Sequence, residues 1–429
     1  MGVAALLELL DTEEEECDFS VFRGRYLGAK CIKRTRSTVE RMFHQLGGHA
    51  VKAYKSSLEM FNLLHSILEP YLIKQFGDSK RGRPNGLIPT RLRLSCAIRY
   101  FCGASVYDLM LTHGISKPSV YKSIYGVINA ANNCPEIALN EGGAEFPSHR
   151  EQHQIAAEFL QMSSALFNCC CLTLDGMLVW TNQPTKQDCL DVGIGERSFH
   201  CYRKDKFGML LLAGSDARCR FKWADITHPG CASDYTAWVT SGLGMKLAEP
   251  DQDIIAPGLT IFGDNAFVET QYMSTPIPGK KLSRYDDAYN FYFSQLRITV
   301  ERAFGILVHR FGILRGPISL SIKKVPALVM CLMKLHNFYI DHCGRKVVGG
   351  LEEDEAFVHY RAFRSDHNAV PVTLNCNRVP EALVGAGHHC RDQIRTNRQG
   401  TVVDRTTPMR KMMQQVIEMD LARPCMTQF

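Results

Sequence analysis

Three carboxylates in this chain of 429 residues have the chemical type and the setting for metal-dependent chemistry. Asp175 closes the apolar segment 169–175, Asp264 follows the apolar segment 259–263, and Glu301 lies on a long helical segment. A lone Asp at the end of a strand more often caps a turn. A carboxylate beside a hydrophobic core, however, needs a partner or a metal. If the two segments are neighbouring strands, Asp175 and Asp264 meet at one sheet edge, and with Glu301 they form an oxygen-only site for Mg²⁺ or Mn²⁺.

The helical segment 285–311 gives an independent indication of such a site. Most of this segment is apolar, but Asn290, Ser294, Arg297 and Glu301 form a polar stripe at i, i+4, i+7 and i+11. At about 100° per residue, these four residues lie within roughly a 60° arc. We expect the first three to support the site, although a solvated stripe is the alternative. For Arg297, contact with a DNA phosphate and an i,i+4 ion pair with Glu301 both stay open.

The elements that must position these residues follow from the hydrophobic periodicity of the chain after residue 168. The pattern predicts four strands and three helices in the order β, β, β, α, β, α, α, at 169–175, 209–214, 220–226, 233–247, 259–263, 285–311 and 325–341. This order predicts an α/β fold with a mixed sheet and helices packed on it. Asp216, between the second and third strands, is expected to be a hairpin-turn residue.

A helical segment, residues 90–133, precedes the predicted sheet. Ser105 predicts the start of a helix, Gly114 predicts the break after it, and Ser116 with Pro118 predicts the start of a second helix. A helix, a tight Gly turn and a second helix with a polar N-terminal face are typical of a DNA-binding helix-turn-helix. An ordinary helical hairpin is the alternative. The side chains that we expect to be solvent-exposed and to bind DNA are Lys117, Ser119, Tyr121 and Lys122.

Composition and charge restrict the class of protein. The chain is 45% apolar with a net charge of +6, which is ordinary globular usage and permits a polyanionic partner. Its 17 cysteines include no CxxC pair, so we expect reduced intracellular thiols rather than a zinc site. We expect no signal peptide and no membrane span.

We divide the chain into four parts. These are an acidic then basic, mobile arm (1–47), a helical domain with the helix-turn-helix (48–150), a catalytic domain (165–342) and a partly disordered tail (343–429).

The stretch from about residue 90 to 342 resembles a Harbinger-type (PIF/Harbinger) transposase of the DDE superfamily. The resemblance rests on five motifs in one order: LTLDG at 172–176, Pro229-Gly230 with Ser233-Asp234, FGDNAF at 262–267, the stripe 290–301 with Phe304-Gly305, and Leu335-His336-Asn337. The chain departs from the family in two places. Met177-Leu178 stands where the family often has Thr-His, and Ser233 stands where a His often precedes the acid.

The resemblance implies a ribonuclease H-like sheet flanked by helices and preceded by an all-α helix-turn-helix domain. It implies that Asp175, Asp264 and Glu301 are catalytic residues and metal ligands, with Asp234 as a supporting acid. The implied cofactors are two divalent ions, Mg²⁺ or Mn²⁺, about 4 Å apart. The implied reaction is metal-dependent cleavage and strand transfer of DNA at transposon ends, in the nucleus.

The resemblance also implies partners. These are transposon-end DNA, target DNA, a Myb-like DNA-binding protein and further copies of the chain on the DNA. Two alternatives stay open: a domesticated, non-catalytic DNA-binding protein, and a metal-dependent nuclease without strand transfer.

Overall fold

The computed structural model describes residues 34–76, 86–163, 167–249, 253–343 and 408–423. In these ranges, the part before the sheet contains seven α-helices: α1 Val39–Leu46, α2 Ala50–Tyr54, α3 Leu58–Phe76, α4 Thr90–Phe101, α5 Val106–His113, α6 Lys117–Asn132 and α7 His149–Met162. The predicted mobile arm up to residue 33, and residues 344–407 of the predicted tail, lie outside the described residues. The end of the arm is packed against the other helices, because Val39, Met42 and Phe43 of α1 are buried in their core.

Helices α5 and α6 form at the residues that the sequence predicts. The Ser105 hydroxyl accepts a hydrogen bond from the Asp108 backbone N–H and so caps α5. Gly114 ends that helix in the left-handed conformation, with φ 59°. A side chain at Gly114 would also collide with the Thr35 carbonyl oxygen, so this turn requires Gly for two reasons. Pro118 lies in the first turn of α6, where its missing N–H costs nothing.

The sheet has six strands in the described ranges: β1 Cys170–Trp180, β2 His200–Cys201, β3 Lys206–Ser215, β4 Phe221–Pro229, β5 Thr260–Phe262 and β6 Met273–Ser274. In this sheet, β1 is central, with β3 antiparallel on one side and β5 parallel on the other. On its far side β3 pairs antiparallel with β4 and with the short β2. Strand β6 continues the sheet in parallel beyond β5. The predicted mixed sheet is therefore confirmed.

The prediction that the first strand ends at Asp175 is wrong. Strand β1 continues for five residues, to Trp180, because Gly176–Trp180 pair with Leu212–Gly208 of β3. Gly176 reads as a turn signal in the sequence, but here it is an interior strand residue. Strand β5, the parallel neighbour of β1, is the one that ends near Asp175. It is only three residues long and ends at Phe262.

Six further helices pack around the sheet in the described ranges: α8 Lys186–Val192, α9 Asp234–Thr240, α10 Gly242–Ala248, α11 Arg284–Arg310, α12 Val325–Cys343 and α13 Pro408–Glu418. The single helix predicted at 233–247 is two helices. Ser241 has extended backbone angles between them, and its hydroxyl accepts the Gly244 N–H to cap α10. Serine competes for backbone hydrogen bonds in this way, which favours a cap over a helix interior.

Helix α11 crosses the sheet rather than following its strands. Phe293 stacks on Phe262 of β5 at 4.3 Å between ring centroids, and Phe304 lies 5.6 Å from Phe221 of β4. The strand register places Phe262, Thr173, Ser215 and Phe221 in one row across four strands. That row spans about 14 Å, and the eleven residues from Phe293 to Phe304 rise about 16 Å. The helix therefore passes over β1 beside the row that contains Thr173.

The helical part and the sheet share one hydrophobic core. Buried residues of α3, α4 and α6 belong to the same core as those of β3, α11 and α12. Asn132 at the end of α6 donates to the Ala327 carbonyl oxygen of α12 at 2.9 Å, and Lys334 donates to the Asn132 carbonyl oxygen at 2.6 Å. None of the helices in the described ranges combines the length and the apolar character that crossing a bilayer requires.

Two polar residues of α12 hold the β3–β4 hairpin in place. The Asn337 side chain accepts the Phe221 N–H at 2.8 Å and donates to the Phe221 carbonyl oxygen at 2.7 Å. His336 Nε2 lies 2.8 Å from the Cys219 carbonyl oxygen in the turn. The Leu335-His336-Asn337 motif thus joins α12 to the β3–β4 hairpin beside β1.

Candidate active site

Asp175 lies in the middle of β1 and faces α11. Alternate residues of a strand point to opposite faces. Leu172 and Leu174 share a core with Trp238 of α9, whereas Met177 shares its core with Phe304 of α11. Asp175 therefore points to the α11 side. It is fully buried, and its Oδ1 accepts the N–H of Gly176 at 2.8 Å.

Asp264 follows the last residue of β5 by two positions. Thr173 pairs with Phe262, the last pair of the β1–β5 ladder, and a parallel register continued for two further residues would set Asp264 next to Asp175. Phe262 faces α11 through its stack on Phe293, whereas Asp264 lies in the turn that follows the strand. Asp264 is half-buried, and its Oδ1 accepts the Ala266 N–H at 2.9 Å. The predicted meeting of the two Asp residues stays a prediction: Asp264 follows the end of β5, whereas Asp175 lies inside β1 rather than at its end.

Glu301 lies on α11 between Phe293, which stacks on β5, and Phe304, which meets β4. Arg297 Nη2 is 2.7 Å from Glu301 Oε1, with side chains 20% and 16% exposed. Of the two interpretations of Arg297, the ion pair is the one that the structure contains. Because both side chains reach solvent, α11 does not seal this side of the sheet.

The other two members of the α11 stripe bond to nearby backbone. Asn290 accepts the Ile277 N–H at 2.7 Å and donates to the Ile277 carbonyl oxygen at 2.9 Å, so its amide fixes the segment before α11. Ser294 is exposed and donates to the Phe291 carbonyl oxygen at 2.7 Å. The contacts of Asn290 thus position the helix that carries Glu301, and those of Ser294 are local to the helix.

Asp234 and Asp216, the two further acids in the sequence motifs, lie in different settings. Asp234 opens α9 after its cap Ser233, and a Cβ on Gly176 would overlap the Asp234 carboxylate. Since Gly176 and Asp175 face opposite sides of β1, Asp234 lies across the sheet from the Asp175 side chain. Asp216 accepts the Arg218 and Arg220 N–H groups in the β3–β4 turn, which confirms it as a hairpin-turn residue.

The sequence analysis did not identify Asp225 and His228, a polar pair on the α9 side of the sheet. His228 of β4 lies 3.5 Å from Asp225 and 2.7 Å from Thr240 of α9. Burial raises the pKa of Asp225, but hydrogen bonds from His228 and Thr227 outweigh it and hold that pKa below its ordinary value. The only signal in the sequence is an Asp and a His three residues apart within a strand.

The three carboxylates supply oxygen ligands only, the donor chemistry that Mg²⁺ and Mn²⁺ prefer. Asp175 and Asp264 belong to adjacent parallel segments, and Glu301 is paired with Arg297 on α11. In the part of the chain that the structure describes, no group of three or more His, Cys, Asp or Glu side chains is close enough to hold a metal ion. The donor chemistry of the three residues therefore fits the ion, and their joint coordination of a metal stays a prediction.

The predicted DNA-binding residues of α6 divide into two kinds. Lys117 and Lys122 are exposed, and Lys117 Nζ lies 5.2 Å from the centroid of the Tyr107 ring. Ser119 and Tyr121 are half-buried, so the prediction that all four are solvent-exposed is wrong for these two. The Ser119 hydroxyl pairs with the Ser116 hydroxyl, and the Tyr121 ring stacks on Tyr125 along the helix.

The comparisons with known proteins bear on the sheet and the helices around it. Residues 174–337 match the sequence profile of a family described as DDE superfamily endonuclease. No curated protein and no solved structure matches the chain. The matched segment begins one residue before Asp175, contains Asp264 and Glu301, and ends at Asn337. The mixed sheet flanked by helices is consistent with the ribonuclease H-like fold expected of such enzymes. Residues 174–337 are thus similar to DDE superfamily endonucleases, a family that indicates a transposase-like nuclease.

Proposed function

We propose that this protein is a metal-dependent DNA endonuclease and, more specifically, a Harbinger-type transposase that cleaves and joins DNA at transposon ends. One observation carries the proposal. Asp175 lies on β1 and Asp264 just past the end of its parallel neighbour β5, in the sheet that is crossed by α11, the helix that carries Glu301. All three residues fall within the segment that is similar to DDE superfamily endonucleases.

In this proposal Asp175, Asp264 and Glu301 are ligands and transfer no proton. They would hold Mg²⁺ or Mn²⁺, which when bound activates the attacking water or 3′-hydroxyl and stabilises the leaving oxygen. Asp175 is fully buried on a central strand and is therefore fixed in position, whereas Asp264 and Glu301 are half-buried and open to solvent. The phosphodiester would approach from the side of Asp264 and Glu301.

Arg297 supplies the positive charge nearest to Glu301 on α11. Its guanidinium is paired with Glu301 in this structure. A guanidinium can bind a phosphate through two parallel hydrogen bonds. In a DNA complex, Arg297 would exchange Glu301 for a phosphate near the scissile bond.

The remaining expectations concern partners and location. Lys117 and Lys122 are exposed on α6 and would contact the DNA backbone outside the cleavage site. Target DNA, a Myb-like DNA-binding protein, further copies of this chain and action in the nucleus belong to the transposase proposal. They are supported by the motif resemblance.

Two other functions are compatible with the same site residues. A nuclease without strand transfer would use the same three ligands. A domesticated DNA-binding protein would keep the fold without cleavage, and the retention of all three carboxylates within the segment similar to DDE superfamily endonucleases argues against it.

A single assay separates the three functions. The purified chain is incubated with a duplex that carries candidate terminal inverted repeats and with a plasmid target, in Mg²⁺, in Mn²⁺ and in EDTA. We expect metal-dependent cleavage at the repeat ends and joined products in the plasmid. Cleavage without joined products would leave only the nuclease. Binding without cleavage in either metal would leave only the DNA-binding protein.

A further inference from the structure

The short turn between β2 and β3 is a defined structure far along the catalytic sheet. We use the term β2–β3 tip for residues 202–205. His200–Cys201 pair with Phe207–Lys206, and the Lys204 N–H donates to the Cys201 carbonyl oxygen at 3.1 Å. Asp205 has a left-handed backbone with φ 50°, which closes the turn. The tip is thus held by a strand pair and a turn hydrogen bond.

The tip presents an aromatic side chain to solvent. Tyr202 is 74% exposed, and only Leu111 and Leu190 are more exposed among the large hydrophobic side chains in the described ranges. Its ring meets the His200 ring edge-on at 4.9 Å, and His200 in turn meets Phe207 at 5.1 Å. The His200 ring therefore supports Tyr202, most of whose surface stays accessible.

The residues around Tyr202 are strongly basic. Between residues 197 and 206 the basic side chains are Arg197, Arg203, Lys204 and Lys206, and the acidic one is Asp205. Asp205 lies 3.1 Å from His200 Nε2, and its side chain is 93% exposed, so the tip also carries one negative charge. Lys206 Nζ lies 3.2 Å from the centroid of the Trp180 ring. At the tip itself Tyr202 and Arg203 are exposed beside Asp205, and Lys204 is half-buried.

The strand register gives the distance from the tip to the candidate active site. Ala213 pairs with Asp175, and Lys206 lies seven residues earlier on the same strand. At about 3.4 Å per residue, the separation along β3 is about 24 Å. Duplex DNA rises about 3.4 Å per base pair, so this separation corresponds to about seven base pairs.

We propose that the β2–β3 tip is a second DNA contact, which binds the backbone of the duplex about seven base pairs from the cleaved bond. Arg203 and Lys204 supply charge for phosphate oxygens, and the Tyr202 hydroxyl supplies a neutral donor of the kind that positions proteins on DNA. Such contacts fix register and carry no base specificity. This inference rests on the proposed endonuclease function, because the distance is measured from Asp175.

The test measures DNA affinity as a function of duplex length. The cleavage position is first mapped with the parent protein. Fluorescence anisotropy in EDTA then compares duplexes that extend about four or about twelve base pairs beyond that position on each side. The variants are Arg203→Ala with Lys204→Ala, and Tyr202→Phe alone. The matched control is Arg410→Ala with Lys411→Ala, which removes two exposed charges from α13.

We expect the Arg203→Ala, Lys204→Ala protein to bind the long duplex at least about tenfold more weakly at low salt and to lose about 1.8 from the salt slope. On the short duplex it should equal the parent. The control should equal the parent on both. Tyr202→Phe should weaken only long-duplex binding, by about two- to fivefold, the worth of one hydrogen bond.

Two results would overturn the inference in different ways. Parent-like affinity and salt slope of the Arg203→Ala, Lys204→Ala protein on the long duplex would remove the tip contact while leaving the endonuclease proposal intact. A parent protein that neither binds nor cleaves DNA would remove both. Melting curves of the variants, which change turn residues outside the hydrophobic cores, should coincide with the parent.

Discussion

At the scale of single residues, the contact between Arg297 and Glu301 determines how the candidate site can bind a cation. The pair is only partly exposed, and its 2.7 Å separation is that of a charge-assisted hydrogen bond. A cation that takes Glu301 as a ligand must displace a guanidinium. The arginine is therefore both a competitor of the metal and a candidate phosphate ligand.

This competition predicts an effect of Arg297→Gln on metal binding. Removing the guanidinium should tighten Mn²⁺ binding by about two- to fivefold, the equivalent of the 0.5–1 kcal/mol that such a pair contributes. Glu301→Gln should weaken the same binding. Calorimetric titration with Mn²⁺ in the absence of DNA measures both. Arg284→Gln, which removes the exposed pair with Asp420, serves as the control and should leave the affinity unchanged. Weaker Mn²⁺ binding in Arg297→Gln would contradict the account.

Two buried histidines predict how stability depends on pH. Burial lowers the pKa of His336 to about 3 and that of His113 to about 4. The unfolded chain takes up protons near pH 6.5, where the folded histidines stay neutral. Stability should therefore be full above pH 6.5 and fall on acidification, by about 1.4 kcal/mol per pH unit for each histidine.

The substitution His336→Gln isolates one of these contributions. Glutamine retains an N–H donor for the Cys219 carbonyl oxygen but does not titrate. Between pH 7 and pH 5, the parent should lose about 2 kcal/mol more unfolding free energy than the variant. Urea unfolding at both pH values measures the difference, and His153→Gln, an exposed position, is the control. Equal losses in parent and variant would show that His336 is protonated in the fold.

At the scale of elements, α9 approaches β1 closely at Gly176, on the face of the sheet opposite the Asp175 side chain. Gly176 leaves no room for a side chain, because a Cβ would overlap the Asp234 carboxylate. This strand–helix contact explains why a glycine occupies the interior of a central strand, where glycine otherwise weakens pairing.

The contact predicts a destabilising effect of Gly176→Ala that depends on Asp234. The single substitution should cost about 1–3 kcal/mol through overpacking. In the background of Asp234→Ala the cost should fall by at least about 1 kcal/mol, because the overlapping carboxylate is gone. Urea unfolding of the four proteins measures the coupling. Gly195→Ala, where the Cβ meets open space, should be nearly neutral. An additive result would mean that the strand, and not α9, resists the side chain.

The elements also show where sequence reasoning succeeds. The α5–α6 pair was predictable because its start and its break each depend on one local residue, Ser105 and Gly114. The length of β1 was not predictable from local signals, because its second half is stabilised by pairing with β3. In addition, a glycine after an aspartate, as at Gly176, is typical of a turn. The two-residue strands β2 and β6 have no periodicity to detect. The prediction that Asp175 and Asp264 meet rests on apolar segments that are each followed by an acid, whereas Asp225 and His228 carried too weak a pattern.

At the scale of the whole molecule, the helical part and the sheet share a core that α12 joins to both. The helices before the sheet were expected to form a separate domain from 48 to 150. Their buried residues instead continue into the core beneath β3 and α11. If the helical part separated from the sheet, the apolar faces of α6 and α12 would be exposed to solvent.

The shared core predicts one cooperative unfolding transition for both parts. Calorimetry should give one heat-absorption peak with equal calorimetric and van't Hoff enthalpies. Leu328→Ala on α12, fully buried between the two parts, should lower the melting temperature of that single peak. Two peaks, with only one displaced by the substitution, would show that the parts unfold separately.

The central claim, that Asp264 is a metal ligand of a DNA endonuclease, is tested most directly by cleavage with Asp264→Asn. Asparagine keeps the oxygen that accepts the Ala266 N–H, so the turn should survive while one ligand charge is lost. Asp253→Asn, at an exposed acid outside the site, is the matched control. We expect Asp264→Asn to reduce Mg²⁺-dependent DNA cleavage at least about a hundredfold while Asp253→Asn retains it. Cleavage by Asp264→Asn at the parental rate would contradict the assignment of the triad and the proposed function with it.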